Sequence, residues 1–457
     1  MDDPKILKYN SPIPSVPIPE YPNVNIAENI INRMKQHPPE GTAVINSDSG
    51  RSFTWGQLVD LIPRVSAGLS AAGVRIGDSV LLVMHNHIDF PVMLFAIQHA
   101  GALAVPCSPL LKAEDFKHAI NLSDANWIVT DRKVQHLLEP LISSLPPGTI
   151  KQMWIQGKPL NMKGRPSLAA LFKTRFSQPA ISTDKWGAAF NAATTPAVML
   201  FSSGTTGLPK GVLLSHQTEN IVAVRSGYLE KLTEVAGAPL SRHTSLIMMP
   251  LYHSYGHLML KAMLAMGHVS VLMAKFSPKA FFASIEKYKV SYCPLVPHIA
   301  HFLSETSLGD KYDLSSLKAF STGSAALAPA VAEKLTNKTG VPTSQGYAMT
   351  ETGIPVSHNW WLWGINPASI GKLNPWFEAK IVDIETGEIL DFGKEGELCV
   401  KGPGIMMGYA KNPVATAATI DTQGWLHTGD LGYIGEEEFI FLTDRMKDLI
   451  KVKGYQM

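Results

Sequence analysis

Residues 200–211, LFSSGTTGLPKG, contain seven serine, glycine and threonine residues and one charged side chain, Lys210. Consecutive backbone N–H groups and hydroxyls in such a turn can form an anion-binding nest, and the glycines let a ligand approach the backbone. Lys210 adds a mobile positive charge that suits a phosphate. The stretch therefore predicts a polyphosphate site, whose members are Ser202, Ser203, Gly204, Thr205, Thr206, Gly207 and Lys210.

This stretch differs from a Walker A loop, which requires G-x-x-x-x-G-K-[ST] at the start of a helix. Here Gly204 and Gly207 are three residues apart, and Pro209 precedes the lysine. The apolar run GVLLSH follows, so we expect the loop to join two strands. On composition alone, an unspecialised Gly/Ser/Thr surface turn stays an alternative.

Length, charge and cysteine content exclude several kinds of protein. A chain of 457 residues is too long for one hydrophobic core, so two or more domains are expected. The net charge of +2 gives no electrostatic reason to expect nucleic acid as a partner. The apolar region 79–111 is interrupted by polar residues and is not expected to span a membrane. Wide spacing argues against structural zinc or a disulfide framework for Cys107, Cys293 and Cys399.

The elements that must position these residues alternate between apolar runs and helical patterns. The sequence predicts strands at residues 79–84 and 127–131, with helical patterns before and between them. This alternation predicts a parallel sheet with helices on its faces. The same alternation resumes after the loop. From about residue 370, short strands and Gly- or Asp-containing turns predict a small β-barrel-like subdomain. The expected fold is α/β, with two stacked parallel-sheet subdomains (25–190 and 191–369) and a β-rich one (370–443).

Six motifs resemble those of the adenylate-forming enzymes, which include acyl-CoA synthetases, 4-coumarate–CoA ligases, firefly luciferases and peptide-synthetase adenylation domains. The loop motif SSGTTGLPKGVLLSH is followed, in the family's order, by PLYHSYG (250–256), STGSAAL (321–327), SQGYAMTETG (344–353), GWLHTGDLG (424–432) and DRMKDLIKVKGYQ (444–456). His253 and the lysine-rich last motif are similar to the acyl-CoA synthetase and 4-coumarate–CoA ligase-like branch. Residues 1–443 then correspond to the family's large domain.

The resemblance implies a two-step reaction on a small carboxylic acid, with ATP and coenzyme A as co-substrates. The acid attacks ATP to give an acyl-adenylate, and the thiol of coenzyme A then takes the acyl group. Lys210 and His253 would be catalytic, and Glu351 with Thr206 would hold Mg²⁺. Without its motif, Glu351 would read as an ordinary residue at a helix start beside a capping threonine.

The resemblance also implies nucleotide contacts in three later motifs. Tyr347 offers adenine a flat face, Asp430 and Arg445 reach the ribose, and Lys275 contacts coenzyme A. The structural alternatives are a core tyrosine, a turn aspartate and a surface arginine. Further nucleotide-site residues on this basis are Gln345, Gly346, Thr350, Lys447, Lys451, Lys453 and Gly454.

The acyl pocket is expected around His253, which would separate the adenylate from the acid. A satisfied structural histidine is the alternative. The other positions that the resemblance implies are Tyr255, Met259, Ser324, Ala325, Gly346, Ala348, Ile354, Pro355 and Val356. Ala348 stands where 4-coumarate–CoA ligases usually have glycine, and Met259 replaces a smaller polar residue. This bulk, with Trp360, Trp361 and Trp363 nearby, argues against a hydroxycinnamate and leaves another aromatic acid or a medium-chain acid open.

The family continues beyond this sequence, so residues 444–457 are expected to be a hinge and the start of a truncated C-terminal domain. That domain would carry a lysine that bridges the carboxylate and the α-phosphate, and this chain alone is expected to be nearly inactive. The alternative function is therefore a non-catalytic nucleotide- and acyl-binding module. A cytoplasmic or peroxisomal location and a monomer or weak dimer are expected.

Overall fold

The computed structural model describes residues 3–157, 166–173, 190–202, 208–237, 242–360, 362, 364–446, 451, 452, 455 and 456. Its α-helices, numbered in chain order, are α1 Ile26–Met34, α2 Trp55–Ala71, α3 Asp89–His99, α4 Ala113–Ser123, α5 Gln135–Ser144, α6 Leu168–Phe172, α7 His216–Val235, α8 Ser254–Ala265, α9 Pro278–Tyr288, α10 Pro297–Glu305, α11 Pro329–Thr339 and α12 Pro413–Thr419. Two 3₁₀ turns cover Leu308–Lys311 and Thr350–Thr352. No helix in these ranges is long and apolar enough to cross a bilayer.

The first sheet has seven strands in the order β19-β9-β8-β5-β4-β6-β7. They are β4 Ser79–Val83, β5 Leu103–Cys107, β6 Trp127–Asp131, β7 Gln152–Gln156, β8 Pro196–Ser202, β9 Lys210–Ser215 and β19 Gly408–Tyr409. Strands β8, β5, β4, β6 and β7 are parallel, and β9 and β19 are antiparallel additions at one edge. The predicted strands at 79–84 and 127–131 are confirmed.

The second sheet has nine strands in the order β16-β15-β14-β13-β12-β10-β11-β2-β3. They are β2 Thr42–Asn46, β3 Ser52–Thr54, β10 Thr244–Ile247, β11 Val269–Leu272, β12 Tyr292–Leu295, β13 Ala319–Thr322, β14 Thr343–Tyr347, β15 Ser357–His358 and β16 Lys372–Leu373. The six strands from β14 to β2 are parallel, and antiparallel strands close both edges.

The third sheet is antiparallel, with five strands in the order β1-β17-β18-β20-β21. They are β1 Leu7–Lys8, β17 Glu378–Val382, β18 Gly396–Lys401, β20 Leu426–Ile434 and β21 Ile440–Arg445. A separate hairpin is formed by β22 Lys451–Val452 and β23 Tyr455–Gln456. The predicted α/β class with a small β-rich unit is confirmed. The expected boundaries at 190 and 369 stay a prediction. Strands β2 and β3, which precede residue 190 in the chain, belong to the second sheet.

The two larger sheets are stacked on either side of a helical layer. The largest hydrophobic cluster joins Val80 and Ala104 of the first sheet to Val44 and Leu272 of the second through α1, α2, α3, α7 and α8. Every residue of α3 is buried, and the apolar residues between its polar ends accordingly lie on all sides of the helix. Separate clusters cover the outer face of each sheet, with α4 and α5 on the first and α9, α10 and α11 on the second. The result is an α/β/α/β/α stack.

A buried charged cluster lies inside the central helical layer. Glu219 of α7 accepts hydrogen bonds from His257 at 2.8 Å and from Lys261, both on α8. Burial alone would raise the pKa of Glu219, but Lys261 and His257 outweigh it and lower that pKa to about 2. The cluster therefore fixes α8, and with it the segment that begins at His253, against α7.

We expect Lys261→Met to destabilise the fold by about 3–5 kcal/mol at pH 7, because it leaves the Glu219 carboxylate buried without its cation. Since the folded pKa of Glu219 is depressed, the stabilisation is present above the ordinary pKa of 4.5 and is lost as pH falls towards about 2. The difference from wild type in urea unfolding should therefore shrink below pH 4.5. Lys289→Met is the control, since that lysine pairs with Asp313 at the surface and should cost under about 1 kcal/mol.

Candidate nucleotide and acyl site

The base of the predicted phosphate loop is a β-hairpin. Strands β8 and β9 are antiparallel, and Ser202 pairs with Lys210 at the point where the loop leaves and re-enters the sheet. The prediction that this loop joins two strands is confirmed. The remaining loop positions, Ser203, Gly204, Thr205, Thr206 and Gly207, lie outside the described residues. His118 contacts the Pro209 carbonyl at 3.0 Å, which anchors the returning strand to α4.

A tyrosine that the sequence reasoning missed connects the loop base to the predicted metal ligand. The Nζ of Lys210 lies 4.5 Å from the ring centroid of Tyr409, and the Tyr409 hydroxyl donates to Glu351 Oε1 at 2.9 Å. Burial and the neighbouring carboxylate raise the pKa of Tyr409, so the hydroxyl stays a donor at neutral pH. The ring face of Tyr409 therefore contacts the Lys210 ammonium group, and its hydroxyl binds the Glu351 carboxylate.

Glu351 is positioned by its backbone as well as by Tyr409. It lies in the 3₁₀ turn Thr350–Thr352, and its carbonyl accepts from the Met406 N–H at 2.8 Å. The side chain is buried, and the described residues give it one side-chain hydrogen bond, to Oε1. Mg²⁺ prefers one or two carboxylate oxygens together with waters and phosphate oxygens, so a single held carboxylate fits that ion. The second predicted ligand, Thr206, is not among the described residues.

The predicted adenine and ribose residues are in direct contact. The Tyr347 hydroxyl donates to Asp430 Oδ2 at 2.6 Å, and Arg445 Nε lies 2.9 Å from Asp430 Oδ1. Asp430 is 3% exposed, and Asp430 pairs with Arg445 across β20 and β21. Burial and the Asp430 charge raise the pKa of Tyr347 well above its ordinary value. Oδ2 of Asp430 therefore already accepts a hydrogen bond and Oδ1 forms an ion pair, and a ribose would add to these contacts or replace them.

A second carboxylate supports the turn before Asp430. Glu397 Oε1 accepts from the Gly429 N–H at 2.9 Å, and Glu397 Oε2 lies 2.7 Å from His427 Nδ1. Buried Cys399 lies 3.4 Å from the same His427 nitrogen. These contacts fix the HTGD turn to β18, so the position of Asp430 follows from the packing of the third sheet.

Gln345 and Gly346, which are predicted to contact the nucleotide, have structural roles. The Gln345 amide donates to the carbonyls of Pro367 at 3.1 Å and Ser369 at 2.9 Å and accepts from the Leu327 N–H. Both amide hydrogens are used, so this side chain has no donor left for a ligand. A Cβ at Gly346 would lie 2.9 Å from the His358 ring, so the close approach of β15 requires glycine there.

His253 is the N-cap residue of α8. Its Nδ1 accepts from the Tyr255 N–H at 3.3 Å, so the neutral ring carries its proton on Nε2. Desolvation by neighbouring residues lowers the pKa of His253, although the residue keeps exposed surface. Thr350 contacts Ser254 at 3.3 Å, which joins this helix start to the Glu351 turn.

The predicted acyl positions divide into an accessible group and a core group. Tyr255 donates to the Ser321 carbonyl at 3.1 Å, and a Cβ at Gly323 would lie 3.3 Å from its ring. Accessible surface remains on Tyr255, Met259, Ser324, Ala325, Gly346, Ala348 and Pro355. By contrast, Ile354 is 1% and Val356 0% exposed, because they pack into the main hydrophobic cluster.

The other predicted residues lie apart from this centre. Lys275 is exposed just after β11. Trp360 packs against the cluster formed by Tyr228 and Leu229 of α7 and by the N-terminal segment. The backbone of Lys451 belongs to β22. Lys447, Lys453, Gly454, Trp361 and Trp363 lie outside the described residues.

The stacked sheets, the base of the phosphate loop, and the contacts between tyrosines and carboxylates define the fold of an adenylate-forming enzyme. The chain belongs to the family of AMP-binding enzymes, whose model matches residues 31–410. The resemblance noted in its sequence motifs is thereby confirmed.

Two curated relatives and one solved structure illustrate this membership. The chain is 37% identical over 423 residues to the probable CoA ligase CCL5 of Humulus lupulus, covering 91% of this chain and 74% of that protein. It is 30% identical over 466 residues to the luciferin 4-monooxygenase of Photinus pyralis, covering 100% of this chain and 82% of that protein. A long-chain-fatty-acid-CoA ligase (FadD1) from Archaeoglobus fulgidus matches with a TM-score of 0.81 at 26% identity, covering 94% of this chain and 86% of that one.

The position of Tyr409 gives a prediction for nucleotide binding. We expect Tyr409→Phe to weaken ATP binding at least about tenfold when MgCl₂ is present, because a hydrogen bond to a charged group contributes about 1.5–3 kcal/mol. Tyr409→Leu should lose about 0.5–1 kcal/mol more, since it also removes the ring beside Lys210. Calorimetric titration with and without MgCl₂ measures both effects.

Tyr433→Phe is the matched control, because Tyr433 stacks on Phe441 in the third sheet. It should leave both titrations unchanged. An equal loss for Tyr409→Phe with and without MgCl₂ would mean that Tyr409 does not act through Glu351.

Proposed function

We propose that this protein activates a carboxylic acid with ATP and transfers the acyl group to coenzyme A. The observation that supports the proposal is that Tyr409 contacts both Lys210 and Glu351, while Tyr347, four residues before Glu351, contacts Asp430. The chain belongs to the AMP-binding enzyme family. The similarity to a protein named a probable CoA ligase supports coenzyme A as the acyl acceptor.

In the first step, a carboxylate oxygen of the acid attacks the α-phosphorus of ATP, and pyrophosphate leaves as the bond to the bridging oxygen breaks. Such a step depends on positioning and charge neutralisation, and it needs no covalent nucleophile. Lys210 supplies a cation at the loop base. Mg²⁺, when bound by Glu351 and Thr206, would neutralise phosphate charge. Tyr409 holds Lys210 and Glu351 in fixed relation before any ligand arrives.

The nucleoside half of the site uses residues that already contact one another. Tyr347 provides an aromatic face for adenine, and Asp430 accepts the ribose hydroxyls. A carboxylate oxygen has more than one lone pair, so the hydroxyls can bind while Tyr347 and Arg445 keep their contacts or partly give way. These contacts account for a preference for a nucleoside phosphate over free phosphate.

In the second step, the thiol sulfur of coenzyme A attacks the acyl carbonyl carbon, and AMP leaves as the acyl–oxygen bond breaks. His253 borders this reaction, and its lowered pKa keeps the ring neutral at pH 7. A neutral ring with a proton on Nε2 can donate to the adenylate without adding charge. The exposed cation of Lys275 would contact the phosphates of coenzyme A.

The test is to supply ATP, MgCl₂, coenzyme A and a panel of aromatic and C4–C12 acids. Release of pyrophosphate and the mass of each acyl-CoA are followed. Acid-dependent formation of both products would support the proposal. Since this chain alone is expected to turn over slowly, the assay uses high protein concentration and long incubation. Tight binding of AMP and of acyl-sulfamoyl adenosines with no acid-dependent product under those conditions would favour the alternative, a non-catalytic nucleotide- and acyl-binding module. Absence of AMP binding would contradict both.

We expect Lys210→Ala to weaken ATP binding by about 1.5–3 kcal/mol, because the phosphates lose a charge-assisted contact. Lys275→Ala is the matched control. It removes an exposed cation elsewhere, so it should leave ATP affinity unchanged and weaken only coenzyme A. Unchanged ATP affinity for Lys210→Ala in calorimetry would rule out the proposed placement of the phosphates.

We expect Asp430→Ala to weaken AMP and ATP strongly but pyrophosphate little, since only the nucleotides carry a ribose. The variant also removes the partner of Tyr347 and Arg445, so its thermal unfolding is recorded alongside. Equal losses for all three ligands would show that Asp430 serves only the structure.

A further inference from the structure

Arg225 of α7 is a partly buried cation with neutral neighbours. Its Nε and one terminal nitrogen donate to the Asn374 side-chain oxygen at 3.3 and 2.9 Å. The nearby ionisable groups that act on it are the phenols of Tyr9 and Tyr292. Within the described part of the chain, no carboxylate lies at ion-pair distance from this guanidinium. A buried charge is normally paired, because desolvation alone costs several kcal/mol.

The charge on Arg225 persists at neutral pH. Burial lowers the pKa of Arg225 to about 10, which still leaves the group fully protonated at pH 7. Its amide partner satisfies two of five N–H donors at most. The guanidinium can therefore take a further acceptor, and a carboxylate matches its planar fork best.

The contacts of Arg225 connect it to the acyl positions by one route through Asn374. The Asn374 side-chain N–H donates to the Pro355 carbonyl at 3.0 Å, and the Asn374 backbone N–H donates to the Val356 carbonyl at 2.8 Å. Pro355 keeps accessible surface in the predicted pocket. One residue, Asn374, therefore joins Arg225 to Pro355 through hydrogen bonds.

A second route runs through the tyrosines of the pocket. Tyr255 and Tyr292 both hydrogen bond to Ser321, and Tyr292 interacts electrostatically with both Tyr255 and Arg225. His358, whose ring approaches Gly346, also feels the charge of Arg225. Arg225, Tyr255, Tyr292 and His358 all keep partial solvent exposure, although burial shifts the pKa of each. Each of these four side chains therefore retains surface that a ligand could contact.

We propose that Arg225 marks the deep end of the acyl pocket and selects acids with a second, anionic group at the far end, such as dicarboxylic acids. This inference rests on the proposed function, since it names the substrate class of that site. The reacting carboxylate is at the adenylate end, near His253, and the distal carboxylate pairs with Arg225. Tyr255 and Tyr292 line the path between the two ends.

The test uses matched pairs of acyl-sulfamoyl adenosines with four to ten carbons, whose acyl chains end in a methyl, a hydroxyl or a carboxylate. The full 457-residue chain is titrated by calorimetry, with AMP as the reference ligand. At the best chain length, the carboxylate-ended compound should bind about 10- to 100-fold more tightly than its methyl-ended partner. Arg225→Met should abolish that preference, and Arg225→Lys should retain part of it.

Arg33→Met is the control, because Arg33 has its own carboxylate, Glu230, at 3.0 Å on another face of α7. It should keep the wild-type preference, and AMP affinity should be the same in every folded variant. A methyl- or hydroxyl-ended compound that binds as tightly as the carboxylate-ended one overturns the inference. So does a carboxylate preference that survives Arg225→Met. If AMP binds but no acyl compound binds better, the inference fails and the nucleotide site stands; if AMP itself fails to bind, the proposed function fails as well.

Discussion

Two phenol–carboxylate hydrogen bonds join the three sheets where the site is formed. Tyr409 of the first sheet holds Glu351, which follows the last parallel strand of the second sheet, and Tyr347 of the second sheet holds Asp430 of the third. In both pairs burial and the adjacent carboxylate raise the tyrosine pKa, so each hydroxyl remains a donor across the physiological range. The relative position of the cation, the two carboxylates and the aromatic face therefore follows from these two contacts.

Much of this arrangement was predictable because local patterns determine it. Alternating apolar runs in the sequence predicted the parallel strands, and an apolar run on each side of the phosphate loop predicted that it joins two strands. Motif resemblance identified Tyr347, Asp430 and Arg445, which the structure brings together. The resemblance also implied site roles for Gln345, Ile354 and Val356, whose side chains form hydrogen bonds to the backbone or pack in the core. A motif marks the segment that meets a ligand, whereas strand pairing and burial decide which side chains are available.

The residues that the sequence did not reveal depend on contacts between distant parts of the chain. Tyr409 and Glu351 are 58 positions apart, and Arg225 and Asn374 are 149 apart. Alone, Tyr409 reads as a core tyrosine in a turn, and Arg225 reads as a surface charge on a long helix. Their significance appears only when β19 pairs with β9 and when α7 packs behind the segment around Pro355.

The same helix carries two charged groups, one fully buried and one partly buried, whose charges are compensated differently. Glu219, near the start of α7, has Lys261 and His257 as partners, so that cluster is complete within the protein and fixes α8. Arg225, six residues later, has the Asn374 amide and tyrosine phenols as neighbours and keeps its charge. Because a protein interior penalises an uncompensated charge, the first arrangement serves the structure and the second awaits a ligand. Specificity for the acid would then originate on α7, whereas the nucleotide is held by the sheets.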